Sequence, residues 1–290
     1  MMDLMWIAYS SGYLVFTVLF LLAGKVFFDM LTPYSVNVQL TGKDNVAVGI
    51  LIVGFLLGLT CIVCGVLAGD APEEPSLAVF WGEIVETGLY GIVGMILLFL
   101  SGIINDKVVL RKFSNQTEIV EHGNAAVALV MAATYIASAL MIAGGIRGCL
   151  GIQSMLMAFG FGQVALVLFA VLYQLITRYD DQEELGKRQN LAAALAYGGN
   201  LVAYGLILMK GLSMDQALLD EWTWQDGMLH ASYYAVVGAV LLLITRIVND
   251  RLFLPKAKLS KEIVEDRNLN AGLMAAGLAI SMGSAMVFCL

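Results

Sequence analysis

Residues 45–68 read NVAVGILIVGFLLGLTCIVCGVLA, an asparagine followed by an unbroken apolar run without one charged side chain. Wound as a helix at about 1.5 Å per residue, such a run crosses a hydrocarbon core of about 30 Å. A barrel strand would alternate polar and apolar residues, and this run does not. Outward from it the pattern recurs, and candidate spans fall at 9–28, 46–68, 80–104, 125–146, 154–177, 191–209, 227–248 and 269–290. Lipid offers the backbone no hydrogen-bond partners, so each run must satisfy its own amides, as a helix does. The expected fold class is therefore all-α: a polytopic transmembrane bundle of eight helices arranged as four hairpins.

Composition agrees. Hydrophobic residues make up 60% of the 290, charged residues 13%, and mean hydropathy is +0.83, beyond the range of water-soluble domains. The start, Met1-Met2-Asp3-Leu4-Met5-Trp6, has neither a basic region nor a small-residue cleavage site, so the first run is expected to remain as a span. The net charge of -7 belongs to loops, and no basic patch interleaved with aromatics points to nucleic acid. Cys61 and Cys64 have redox spacing but lie inside an apolar helix, where they read as buried small hydrophobes.

Of the 16 basic residues, all but Arg147 and Lys210 lie in or beside the loops after spans one, three, five and seven. The opposite side carries acidic loops at Asp70, Glu73, Glu74 and at Asp215, Asp220, Glu221, Asp226. Lys and Arg are retained in the cytoplasm, so the hairpin tips are expected there, with both termini outside the bacterial inner (plasma) membrane. Trp6, Trp81, Trp222 and Trp224 fall at the expected outer boundary, where an indole suits the headgroup layer.

The chain also repeats itself. A shift of 145 residues lays Tyr34 on Tyr179, Leu40 on Leu185, Asn45 on Asn190 and Gly54 on Gly199. A shift of 144 lays Asn105-Asp106-Lys107 on Asn249-Asp250-Arg251, Glu118-Ile119-Val120-Glu121 on Glu262-Ile263-Val264-Glu265, and Asn124 on Asn268. Two four-span units, 1–146 and 147–290, are the expected domains. Within each, the second helix of every hairpin opens on an asparagine followed five residues later by Ile or Leu: Asn45, Asn124, Asn190 and Asn268. Each hairpin makes an even number of crossings, so the four repeats share one orientation, unlike the inverted repeats on which many rocking transporters are built.

The Thr32-Pro33-Tyr34 segment, the acidic Glu183-Glu184-Leu185 before Asn190, and the runs Asn45-Val46-Ala47-Val48-Gly49 and Asn190-Leu191-Ala192-Ala193-Ala194 resemble a family of bacterial membrane proteins. These carry the domain of unknown function 350, of the YjfL type. The resemblance spans nearly the whole chain as two copies of a four-span unit; Arg178 replaces the proline in the second copy. It implies a multi-spanning inner-membrane protein and transfers no catalytic residue.

Several residues stand out as candidates. Asn45, Asn124, Asn190 and Asn268 sit at helix starts, where an amide oxygen accepts from first-turn N–H groups, so N-capping is the plain reading. The functional alternative is a ring of amides at the cytoplasmic mouth, where four helix N-termini would favour an anion or an acidic segment. The even-numbered spans are rich in Gly and Ala at four-residue spacing, which predicts an inner layer of close helix packing, with a pore wall as the alternative. Gln163 and Asn200 fall deep at similar depth, which predicts a hydrogen bond between them. Glu86 and His230 correspond under the 144-residue shift and form a candidate outer site. Lys25 and Asp29, one turn apart, are expected to pair, and the Glu118–Glu121 and Glu262–Glu265 stretches predict a short interfacial helix, its apolar pair in the headgroup layer, at two of the tips.

Neither cofactor nor metal is expected, because no nucleophile and base pair, metal cluster, phosphate loop or midplane charge is evident. The reading is a non-enzymatic, self-associating membrane scaffold whose tips meet cytosolic proteins. A channel or facilitator for an ion or small solute is the alternative.

Overall fold

The computed structural model describes residues 4–69, 76–147, 151–177, 179–213, 223–249, 251 and 258–289. The expectations placed on the acidic residues at 70–74 and 215–221, on Arg178 and on Trp222 lie outside these residues. Every regular element among the described residues is helical. Hairpin one pairs α1 (Leu4–Leu31) with α2 (Val46–Leu67), and hairpin two pairs α3 (Leu77–Ile104) with α5 (Ala125–Ile146) around a tip helix α4 (Asn115–Val120). Hairpin three pairs α6 (Ile152–Ile176) with α7 (Leu191–Leu212), and hairpin four pairs α8 (Trp224–Val248) with α10 (Leu269–Cys289) around a tip helix α9 (Leu259–Val264). Eight of these are long and apolar enough to cross a membrane.

The layering follows from side-chain size. The second helices of the hairpins form a row in which α2 packs along α5, α5 along α7, and α7 along α10. Lipid tails are as apolar as leucine, so helices in a membrane gain little by hiding apolar surface from water and instead gain by close contact. Small residues permit that contact: a Cβ added to Gly54 would lie 2.4 Å from the Ala132 Cα, and one at Gly199 would lie 2.4 Å from the Ala276 Cα. These are backbone-to-backbone seams, as the small-residue pattern predicts. The bulkier first helices cover the seams. α3 lies over α2 and α5, α6 over α5 and α7, and α8 over α7 and α10, whereas α1 has α2 as its one core helix.

Three expectations need correction. Cys64 is exposed rather than buried, because α2 begins the row and its far side meets no core helix; Cys61, a turn away, is half-buried against the core. Lys25 and Asp29 do not pair: the Lys25 ammonium donates to Asn37 Oδ1 (2.6 Å), and the Val36 amide donates to Asp29 Oδ1 (2.5 Å), so each is committed to the loop that follows. The tip helices α4 and α9 do form, but Ile119 and Ile263 point into the protein and are buried there.

Candidate functional site: asparagine clasps and a buried acid near an arginine

Each hairpin tip turns in the same way. The residue before each asparagine takes a positive φ (Asp44 49°, Gly123 63°, Gln189 50°, Arg267 46°), which swings the chain into the following helix. The asparagine N–H then donates to the carbonyl six residues back: Asn45 to Gln39, Asn124 to Glu118, Asn190 to Glu184 and Asn268 to Glu262. Its side-chain oxygen caps the helix. Oδ1 accepts from the amides of Ala47 and Val48, of Ala126 and Val127, and of Ala192 and Ala193, while Asn268 accepts from Asn270.

The side-chain nitrogen does something a cap alone does not require. In each hairpin it donates to the residue six back, Gln39 Oε1, Glu118 Oε2, Glu184 Oε2 or Glu262 Oε2. In the first three hairpins it also donates to a carbonyl of the next hairpin's tip: Asn45 to Ile119 O (3.0 Å), Asn124 to Leu185 O (2.8 Å) and Asn190 to Ile263 O (2.8 Å). The accepting residue is in every case five positions before the next asparagine. One asparagine thus caps its own helix and clasps the following hairpin. The four stand along an open row, since α10 makes no such packing with α2, and the first-turn amides that an anion would use are taken by the asparagine oxygens.

The predicted Gln163–Asn200 bond does not form. Gln163 Nε2 donates to Ser138 Oγ on α5 (2.8 Å), because α6 sits over the α5–α7 seam and turns this residue toward α5. Asn200 Nδ2 donates to the Ala196 carbonyl of its own helix (2.8 Å). Asn200 faces a cavity of about 10 Å³, which it lines with Tyr173, Thr245, Arg246 and Asn249; that is room for roughly one water molecule.

This cavity adjoins a polar cluster that reading the sequence missed. Arg246, counted among the loop cations, lies inside α8 with its guanidinium 5.3 Å from the centre of the Tyr173 ring, a cation–π distance. Asp181, 2% exposed, accepts from the Thr177 hydroxyl (2.5 Å) through Oδ2, and its Oδ1 is buried without a hydrogen-bond partner among the described residues, as is Asn249 Oδ1. Burial pushes the Asp181 carboxyl up to about 7, against the lowering effects of Thr177 and of Arg246 nearby. Next to it Asp180 is held below its usual range by hydrogen bonding to the Lys112 ammonium. A signal for this cluster existed in the duplication. Tyr173, Asp181, Asn200 and Arg246 align with Phe28, Val36, Phe55 and Gly102. The first half has at this place a largely apolar cavity of about 200 Å³ lined by Phe28, Tyr34, Gly102 and Tyr135.

At the other face, Glu86 lines a cavity of about 620 Å³ with Trp6, Tyr13, Glu83, Tyr90 and Arg147. The Tyr9 and Tyr13 hydroxyls both donate to Glu83. His230 stands apart from that lining; its Nδ1 is 3.0 Å from the Gly211 carbonyl, and its ring packs on Tyr234. Glu86 and His230 therefore occupy equivalent places in the two halves and do not build one site. Among the described residues no group of three or more His, Cys, Asp or Glu is placed to hold a metal.

Comparison with known proteins bears on the architecture. The profile described as Domain of Unknown Function (DUF350) matches residues 4–146 and again 149–290. The UPF0719 transmembrane protein YshE of Bacillus subtilis (strain 168) is 31% identical over 124 residues, covering 43% of this chain and 81% of that protein. No solved structure matches. With eight spans and a tandem match to its profile, the chain is an integral membrane protein that belongs to the DUF350 family, of which it carries two copies.

Proposed function

We propose that the chain is a non-enzymatic scaffold of the bacterial inner membrane, its hairpin tips in the cytoplasm and its termini outside. The observation that carries this reading is the clasp, repeated three times in one register. It ties the tips of successive hairpins into one continuous surface. That surface bears Lys43, Lys107, Arg111, Lys187, Arg267 and interspersed carboxylates, a charge mix suited to soluble protein partners. The small-residue faces are consumed by contact between backbones, which argues for packing over a pore wall along those seams.

A facilitator for an ion or small solute is the second reading, and the cluster around Asp181 and Arg246 favours it, because buried charge in a membrane protein commonly marks a conduction or proton path. The two readings part in a flux assay. Purified full-length protein in liposomes, loaded with a pH dye or a potassium- or chloride-sensitive dye, should leak no faster than protein-free vesicles. Leak that rises with the protein-to-lipid ratio and disappears in Asp181→Asn would replace the scaffold with the facilitator.

A further inference from the structure

The clasp and the seam obey one rule along the row, and among the described residues both outer faces of the row, on α2 and on α10, are left open. Counting from each asparagine, the residue at +9 meets the residue at +8 of the next core helix: Gly54 meets Ala132, Ala133 meets Gly198, and Gly199 meets Ala276. The residue at +13 meets the one at +15: Gly58 with Ala139, Ala137 with Gly205, and Ala203 with Gly283. On α10 the same two positions hold Gly277 and Ser281, again small. Yet a Cβ at Gly277 would meet nothing within 4 Å, and Ser281 is exposed. A helix face meant only for lipid gains nothing from glycine, which costs about 1 kcal/mol relative to alanine in a helix.

The tips end in the same unfinished way. Asn268 donates to Glu262 as its three counterparts do to their own partners, and among the described residues its side-chain nitrogen meets no neighbouring tip's carbonyl. At the opposite end Leu40 holds the acceptor position that Ile119, Leu185 and Ile263 hold in the other hairpins. Those three are buried beneath the preceding hairpin, and Leu40 is half-exposed. The α2 face that would receive a partner presents Val53 at +8 and Thr60 at +15, with Val53 exposed. Its bulk at +8 complements the open space at Gly277. α1 likewise lacks the second core helix that α3, α6 and α8 each have.

We propose that a second copy of this chain continues the row. Its α2 packs on α10 of the first copy, the Asn268 amide of one donates to the Leu40 carbonyl of the other, and α1 closes over the new seam. The interface is heterologous, head to tail, so successive copies form a ring or a linear array according to the rotation per copy. The partner is argued from continuity, because three internal junctions already display the geometry of the fourth. This inference deepens the scaffold reading and rests on it.

The test is oxidative cross-linking of the full chain in native membranes, with its four cysteines replaced by serine or alanine. Thr60→Cys and Ser281→Cys in one chain place thiols at a +15/+13 junction. At the corresponding internal junction a Cβ added to Gly205 would lie 2.8 Å from the Ala137 Cβ, so two cysteines there are close enough to bridge once the helices ease apart to the usual Cβ separation of about 3.5–4.5 Å. A ladder of covalent dimers and higher species is expected from the double variant. Each single variant alone should give monomer, and the two single variants mixed in one membrane should stop at dimer. Gly277→Trp, which faces open space within one copy, should leave the protein folded and abolish the ladder. Asn268→Ser keeps the cap and should lose the upper rungs.

Cross-linking confined to one chain, dimers from Ser281→Cys alone, or a ladder indifferent to Gly277→Trp would each overturn the proposal. A missing ladder together with a silent flux assay removes the array and leaves the scaffold standing.

Discussion

Asn190 serves two helices at once, and that makes it more sensitive than an ordinary cap. Its oxygen holds the first turn of α7, and its nitrogen holds Glu184 and the Ile263 carbonyl. Asn190→Ser keeps the cap and gives up the clasp; Asn190→Ala gives up both. Loss of a cap costs about 1 kcal/mol, and stranding a buried carbonyl costs a further 1–3 kcal/mol or so. Thermal unfolding in detergent should therefore rank wild type above Asn190→Ser and Asn190→Ser above Asn190→Ala. Asp181 gives a pH dependence whose sign follows from burial. Its folded carboxyl holds its proton up to about 7, whereas an unfolded aspartate releases it near about 4. The folded state is then favoured fully below about 4, and that advantage is lost as pH rises through about 7. Melting temperature should fall across this window in wild type and stay flatter in Asp181→Asn; equal slopes in the two proteins would remove Asp181 as the cause.

For a helix in this row, which face touches a neighbour matters more than its average hydropathy. Gly199→Leu forces a side chain into the Ala276 backbone, and overpacking of this kind costs about 1–3 kcal/mol or more. Gly160, exposed on α6 with nothing within 4 Å, predicts the opposite: Gly160→Ala should hold or raise stability by up to about 1 kcal/mol. Unfolding in a graded denaturing detergent should separate the pair, and similar losses in both would deny that the seam is special. The helices themselves were legible in the sequence, because apolar runs and small-residue spacing are one-dimensional signals. The partners of Gln163 and Asn200 were not. Equal depth places two residues in one plane, whereas the rotation of α6 toward α5 decides which polar groups meet.

At the scale of the molecule, the alternation of basic and acidic connections argues for one topology. A cysteine introduced in the basic connection at Gln116 should react with a membrane-impermeant maleimide only after the inner face is opened, and one at Ser76, the N-cap of α3, should react in intact cells. Reversed labelling would turn the protein over and put the clasped surface outside. The duplication was visible as matched residues, and so were the four asparagines, but not the donor nitrogen's second partner, which comes from a tip more than 60 residues away. The Asp181 cluster escaped for a related reason. Its members are scattered across α6, the loop after it, α7 and α8, and the one signal they share in the sequence is that each differs from its counterpart in the first half.

The positive-φ turn leading into each asparagine recurs in all four tips, so every hairpin is a copy of one insertion cassette. Each one returns to the side from which it left. A gene could therefore gain or lose a hairpin at these junctions without inverting anything downstream, and shortened or lengthened versions of this chain should still insert with their tips on a common side.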